Sequence, residues 1–357
     1  MTHPPSGTLR ALLDRARWAP SADNTQPWRF HILDEAACRI DYRPHAGMGV
    51  FNLDHYTGHL AMGGLLETLR LAAGACGWDV DASVAGGESE DQAFSVHARL
   101  VPAKHRPDPL ADWIEARSTQ RRLMLPHGVS EASRLSLARD LPCGYRLVWM
   151  TGLTQRHRVA RLLSQVGKVR LLIPETYEVH RDTVDWRARH SIDRIPAAAI
   201  GVDPLTRRIM AWALRSRARV AWLNRFYGHL LPRLEMDYLP ALACGGHFFL
   251  VAAAGGDSLS QRLAHGAAMQ RLWLSAARHG LQFQPEMAAL VFARYLRAGT
   301  VFTTHRSMAR LMAQTSQGFD RLLGAADWTQ TVFMGRVGSG GAIHSRSLRQ
   351  PLAALCT

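Results

Sequence analysis

Apolar positions along this chain change their spacing several times, and each change marks an element. Leu9, Leu12, Leu13 and Ala16 fall on one face of a short helix. Pro20 ends it, because proline and the restriction on its predecessor stop helical continuation. Residues 28–33 and 38–43 read as two short strands around the Asp34-Glu35 turn. A long helical pattern follows from about Asp54 to Cys76, with Leu60, Gly63, Leu66, Leu69 and Ala73 along one side and Gly77 placed to stop it. Two more strands are expected around the polar turn Gly86-Gly-Glu-Ser-Glu90, residues 94–101 being the clearer. Residues 103–109, with two prolines, charges and no periodicity, read as a linker. Later, residues 247–254 form an apolar run of central-strand length, and 331–338 read as a further strand.

The long helical pattern occurs twice. Set at a constant offset of 203, residues 60–77 and 263–280 share Leu60/Leu263, Ala61/Ala264, Gly63/Gly266, Leu69/Leu272, Leu71/Leu274, Ala73/Ala276 and Gly77/Gly280. Alanine and leucine recur in any buried helix. Matched glycines within and after both helices favour a true internal repeat.

Composition narrows the classes. At 357 residues and 47% hydrophobic content, the chain can fill one large core or two modest ones. No run of eighteen apolar residues appears and the N-terminus lacks a basic-then-apolar leader, so a protein without a transmembrane span, located in the cytoplasm, is expected. Five scattered cysteines (Cys38, Cys76, Cys143, Cys244, Cys356) without a Cys-x-x-Cys pair suit reduced thiols. Seventeen histidines form no His-Glu-x-x-His pattern, so no metal is expected. The net charge of +14 would suit a nucleic-acid binder, but the cations are nearly all arginines dispersed along the chain without a nucleic-acid motif. No nucleic-acid partner is expected, and attraction for anionic cofactors explains part of the charge.

The densest chemistry lies in residues 15–29. After Pro20 come Ser21, Asp23, Asn24, Thr25 and Gln26, all short hydrogen-bonding side chains in a helix-to-strand turn. Such residues either bond their own backbone or present amides and hydroxyls to a planar polar ligand. A second site of interest is Arg117-Ser-Thr119-Gln-Arg121-Arg122. Arg117 and Arg121 are four apart, and guanidinium forks bind phosphate through charge-assisted bonds; the plainer alternative is a solvated helix face.

The run Pro20-Ser21-Ala-Asp-Asn24-Thr-Gln26-Pro27-Trp28 resembles the Pro-Ser-x-x-Asn-x-Gln-Pro-Trp signature of the FMN-dependent nitroreductase superfamily. The resemblance implies a nitroreductase-like α+β fold and FMN contacts from Pro20, Ser21, Asn24 and Gln26. In that family an Arg-x-Ser/Thr-x-Arg/Lys run from one subunit, matched here by Arg117, Thr119 and Arg121, joins the Pro-Ser motif of the other. Here the first half lacks the arginine run, and the second reads Leu141-Pro-Cys-Gly-Tyr145 where its own Pro-Ser motif belongs. The resemblance therefore implies two fused halves, residues 1–108 and 109–357, each with an antiparallel-type sheet and a long central helix. Such a pseudo-dimer, monomeric or itself paired as a homodimer, would hold one FMN where an ordinary dimer holds two. Pro285 falls where the family has a loop beside the flavin ring. The basic run from His344 to Gln350 resembles a C-terminal segment reaching the FMN phosphate, through Arg346 or Arg349. Among family members the long fused forms, similar to molybdopterin- or ThiF-associated and dormancy-associated nitroreductase-like proteins, are the nearest in kind.

Residues from about 165 to 237 exceed what a minimal half needs. Residues 204–234 carry seven arginines, no acidic residue, and Trp212, Trp222 and Phe226. A basic helix of this kind reads as a lid over the active site or as a surface for membrane contact. By resemblance, the expected activity is that of an FMN-dependent oxidoreductase. It would pass electrons from a reduced nicotinamide, NAD(P)H, to a small organic or natural-product substrate. No separate catalytic side chain is implied, and a flavin-sequestering protein without turnover is the alternative.

Overall fold

The computed structural model describes residues 4–44, 46–86, 93–253 and 256–357. The tip of the turn expected at 86–90 and the end of the strand expected at 247–254 lie partly outside the described residues.

The protein is α+β, with two four-stranded antiparallel sheets. The first runs Trp28–Ile32, Ala37–Tyr42, Phe94–Pro102, Trp78–Gly86 across its width. Its register sets Phe30 opposite Ile40, Ile40 opposite Val96, and Leu100 opposite Val80. These apolar residues share one face because side chains alternate along a strand. The second sheet runs Tyr145–Met150, Gly246–Ala252, Thr331–Gly338, Gln282–Pro285. Its two central strands are buried at every residue, as their unbroken apolar runs require.

Both sheets share one topology. In each, the strands lie in the order first, second, fourth, third along the chain, and a long helix joins the second strand to the third. Those helices, Tyr56–Gly74 and Leu259–Arg278, pack against each other at the centre of the molecule. Gln270 donates to the Thr68 hydroxyl at 2.9 Å, and Arg271 bridges Glu67 at 2.9 Å and Asp108 at 2.7 Å. Leu263 and Leu274 of the second helix enter the core under the first sheet.

Between the first two strands of the second sheet the chain makes its long excursion. Helix Leu153–Leu172 packs on Arg306–Leu323, around an aromatic group where Phe319 stacks on Trp328 at 4.5 Å. The basic stretch 204–234 forms two helices, Pro204–Ala213 and Arg217–Arg225, and a short turn Leu230–Arg233, rather than one continuous helix. Ser216 is extended, which ends the first. Phe226 departs from helical geometry and Tyr227 adopts φ 58°, which ends the second.

Candidate functional site

Three segments far apart in sequence meet beside the N-terminal turn. The turn itself departs from ordinary backbone geometry. Asp23, Asn24 and Gln26 all have positive φ, with Gln26 at 49°, a conformation that costs free energy and persists only where surroundings impose it. The surroundings are visible. The Ser21 hydroxyl accepts from the Gln26 amide N–H at 3.0 Å. The Gln26 side chain, fully buried, donates to the carbonyls of Ile192 at 2.8 Å and Asn24 at 2.9 Å, and accepts from the Gln350 N–H at 2.9 Å. Asn24 donates to the Leu348 carbonyl at 3.1 Å.

The C-terminal run lies along this turn as an extended strap. Arg349 is buried and donates to the Ala19 carbonyl at 3.1 Å, the Asn24 side-chain oxygen at 2.9 Å and the Trp18 carbonyl at 3.3 Å. The strap is stitched on its other side to the excursion: Leu348 N–H donates to the Ser191 carbonyl at 2.7 Å and the Ser347 hydroxyl to the Arg194 carbonyl at 3.0 Å.

Arginines gather around Trp18. Arg117, buried, donates to the Trp18 carbonyl at 3.0 Å and lies 4.5 Å over the Trp273 ring. Arg346 lies 5.0 Å over the Trp18 ring. Residues 117–121 belong to no helix, so Arg117 and Arg121 do not share a helix face. Burial, then the neighbouring Arg349 and Arg346, push the Arg117 pKa well down. Burial, with Arg346 and Arg17 adding, brings Arg349 to about 9. Arg117 and Arg349 are thus penalised by burial and by their arginine neighbours. The Arg117 Nε has no partner among the described residues. Arg121 is also shifted down by burial, opposed by Asp23.

These groups line a recess of about 50 Å³ formed by Ser21, Asn24, Ser118, Thr119, Arg121 and their neighbours. The recess shares Pro20, Ser21, Thr119, Arg121 and Trp273 with a much larger cavity of about 890 Å³. That volume lies in the range of cofactor and substrate pockets. Pro285 is in the wall of the large cavity, at the end of strand Gln282–Pro285 rather than in a loop. Gln26 lines neither space. The roof comes from the excursion, including Thr176, His180, Met210, Leu214, Leu223 and Asn224. Gly201 anchors it: with φ +96° it presses its backbone to that of Arg121, where a Cβ would meet the Arg121 carbonyl at 2.9 Å.

Glu286 and Arg336, also in the wall, belong to a buried charged group that the hydrophobic pattern hides. Glu286 bridges Arg336 at 2.9 Å and His247 at 2.8 Å, and His247 Nε2 lies 2.8 Å from the Ala241 carbonyl. Burial alone would lower the His247 pKa, but the Glu286 carboxylate, aided by Cys244, raises it to about 10. Imidazolium therefore donates from both nitrogens, leaving no base for the Cys244 thiol 3.7 Å away. The signal in the sequence was a lone arginine inside the otherwise apolar run 331–338. Elsewhere in the wall, burial and then Arg170 bring His180 to about 3, so its ring is neutral.

Comparison with known proteins gives a match over part of the chain. The Nitroreductase family model matches residues 1–78, which contain the Pro20–Trp28 turn. This supports the nitroreductase superfamily for the N-terminal part of the chain. An uncharacterized protein of Mycobacterium tuberculosis (strain CDC 1551 / Oshkosh) is 24% identical over 300 residues, covering 81% of this chain. The matched region spans only 40% of that relative's length. Two solved structures are similar at low superposition. A nitroreductase-like family protein from Bacillus cereus gives a TM-score of 0.34 at 10% identity, covering 71% of this chain and 96% of its own. The FMN-dependent nitroreductase NfnB from Mycobacterium smegmatis, in complex with NADPH, gives 0.35 at 15% identity, covering 69% and 96%.

Proposed function

We propose that this protein is an FMN-dependent oxidoreductase, with one composite site built from both halves of the chain. The observation that carries the reading is the junction of an arginine-rich recess, where Asp23 is the one carboxylate in the wall among the described residues, with a large, roofed cavity at the Pro20–Ser21 turn. The donor set fits a phosphate monoester. Arg117, Arg121 and the hydroxyl-bearing Ser21 and Thr119 line one recess and can donate to a phosphate there, beside the Asp23 carboxylate. Asn24 and Gln26 act differently from what the resemblance implies: their amides are spent inside the protein, so they shape the turn that presents Ser21. Arg349 holds the same turn from beneath, while Arg346 stays closer to the recess surface.

When bound, FMN supplies two-electron redox chemistry that the side chains themselves lack. The chain's own contribution is to anchor the phosphate, to roof the cavity against water with residues of the excursion, and to fix the wall at Pro285 through Glu286 and Arg336. NAD(P)H is the proposed donor, and a small organic or natural-product molecule the proposed acceptor.

The test is a visible absorption spectrum of the purified protein, then anaerobic addition of NADPH. The expected result is a flavin spectrum at one FMN per chain that bleaches. Two flavins per chain would remove the composite-site reading, and no flavin after reconstitution would remove the cofactor itself. A second reading, flavin sequestration without turnover, is favoured by one feature: the excursion is stitched to the strap and to Gln26, closing over the recess. A bound flavin that NADPH leaves oxidised would select it.

A further inference from the structure

Residues 205–239 expose an unusual amount of apolar surface. Trp222 is 57% exposed, Phe226 65% and Tyr227 69%, with Leu205, Leu230 and Leu234 also open to solvent. Helix Arg217–Arg225 buries no residue at all. A surface helix normally hides an apolar stripe, so this one is either unfinished or made for another medium. Its polar residues are of one sign. The stretch 204–234 has seven arginines and no acidic residue. Three of these are engaged locally, Arg217 with Glu178 at 2.8 Å, Arg219 with the Trp212 carbonyl at 3.1 Å and Arg233 with the Ser164 carbonyl at 2.9 Å. Arg208, Arg215 and Arg225 stand exposed, with no side-chain partner among the described residues.

Two further observations bear on the occupant. Tyr227, Leu230 and Leu231 are exposed and at the same time line the large cavity, so the apolar face surrounds the cavity mouth. Aromatic and leucine side chains interleaved with arginines are also the composition that partitions into the headgroup boundary of a bilayer. There the rings bury shallowly while guanidinium groups meet lipid phosphate. No helix among the described residues is long and apolar enough to cross a membrane, so such contact would lie in the interface plane.

We propose that the exposed face of residues 204–234 docks reversibly on an anionic phospholipid surface, setting the mouth of the cavity against the lipid. The inference stands apart from the flavin assignment, since neither Trp222 nor Phe226 lines the cavity or the recess.

The experiment is flotation of the full chain with vesicles of phosphatidylcholine alone or of equal phosphatidylcholine and phosphatidylglycerol. Bound flavin is read in parallel from the absorption spectrum. Binding is expected only to the anionic vesicles, falling as salt rises from 0.1 to 0.5 M because exposed charges are screened. The double substitution Trp222→Ser/Phe226→Ser should abolish flotation while leaving far-ultraviolet circular dichroism and flavin content unchanged. The pair Arg208→Gln/Arg225→Gln should weaken binding roughly twenty-five-fold, about fivefold per arginine. Equal binding to neutral vesicles, or no binding to either, would overturn the proposal. So would self-association abolished by Trp222→Ser/Phe226→Ser, which would assign the face to a second copy of the chain.

Discussion

Gly63 and Gly266 lie against each other where the two long helices cross: a Cβ on Gly266 would stand 2.9 Å from the Gly63 Cα. The contact is reciprocal. A side chain on Gly63 would overlap the Leu263 carbonyl, and one on Gly266 would overlap the Leu60 carbonyl. Residue pairs 60/263 and 63/266 are thus exchanged across the crossing, as in an isologous interface between identical subunits.

Replacing either glycine by alanine should force the helices apart. Gly63→Ala or Gly266→Ala is expected to cost about 3 kcal/mol, at the upper end for overpacked cores, read as a lower midpoint in urea unfolding. Gly74, in the same helix as Gly63, has nothing within 4 Å of its Cβ position. Gly74→Ala should be neutral or stabilising by roughly 0.5 kcal/mol. Equal losses at both positions would show that the crossing is not what constrains Gly63.

Arg121 and Arg349 should behave oppositely on substitution. Arg121 lines both the recess and the large cavity with Asp23 as its electrostatic partner, so Arg121→Ala should move the unfolding midpoint little. It should weaken FMN retention about tenfold to a hundredfold, the range for a lost charge-assisted bond. Unchanged flavin affinity in that variant would remove Arg121 from the phosphate site.

Arg349→Ala removes donors to Ala19, Asn24 and Trp18 in a buried place. A loss on the order of 3 kcal/mol is expected from the acceptors left unpaired. Limited proteolysis should then cut within the strap. A variant as resistant as the parent would mean the strap is held by its backbone bonds alone.

The His247–Glu286 pair gives a pH dependence of definite sign. The folded pKa of His247, about 10, lies above its unfolded value. Its contribution is therefore full below about pH 6.5 and is lost as pH rises through 10. Glu286 is shifted down: burial would raise it, but His247 and Arg336 overcome that. Its contribution is present above the ordinary carboxyl range and is lost as acid protonates the folded form. Melting temperature should fall between pH 7 and pH 10. Glu286→Gln should lower stability at pH 7 by about 3 kcal/mol, as breaking a buried pair does, and flatten that slope. An unaltered slope would place the pH dependence elsewhere.

Local signals were legible in the sequence. Both long helices and the central strands follow from spacing and punctuation, although the first helix stops at Ala16, ahead of Pro20, and Ser21, Thr119, Arg117, Arg121, Arg346 and Arg349 do converge on one recess. The inward use of Asn24 and Gln26 was not legible, because their partners at Leu348, Gln350 and Ile192 are brought near only by tertiary packing. Nor were the two breaks in the basic stretch, at extended Ser216 and at Tyr227 with its positive φ, which outweigh helix propensity.

The excursion between the first two strands of the second sheet also has a kinetic consequence. Among the described residues, Tyr145–Met150 pairs only with Gly246–Ala252, roughly ninety-five residues later. The first sheet closes by short connections and a single helix. Closing the longer loop carries a larger entropic cost, and such non-local pairings slow folding. On a growing chain the first sheet and its helix can condense early. The edge strand of the second must then wait, unpaired, until the whole roof of the cavity has been synthesised.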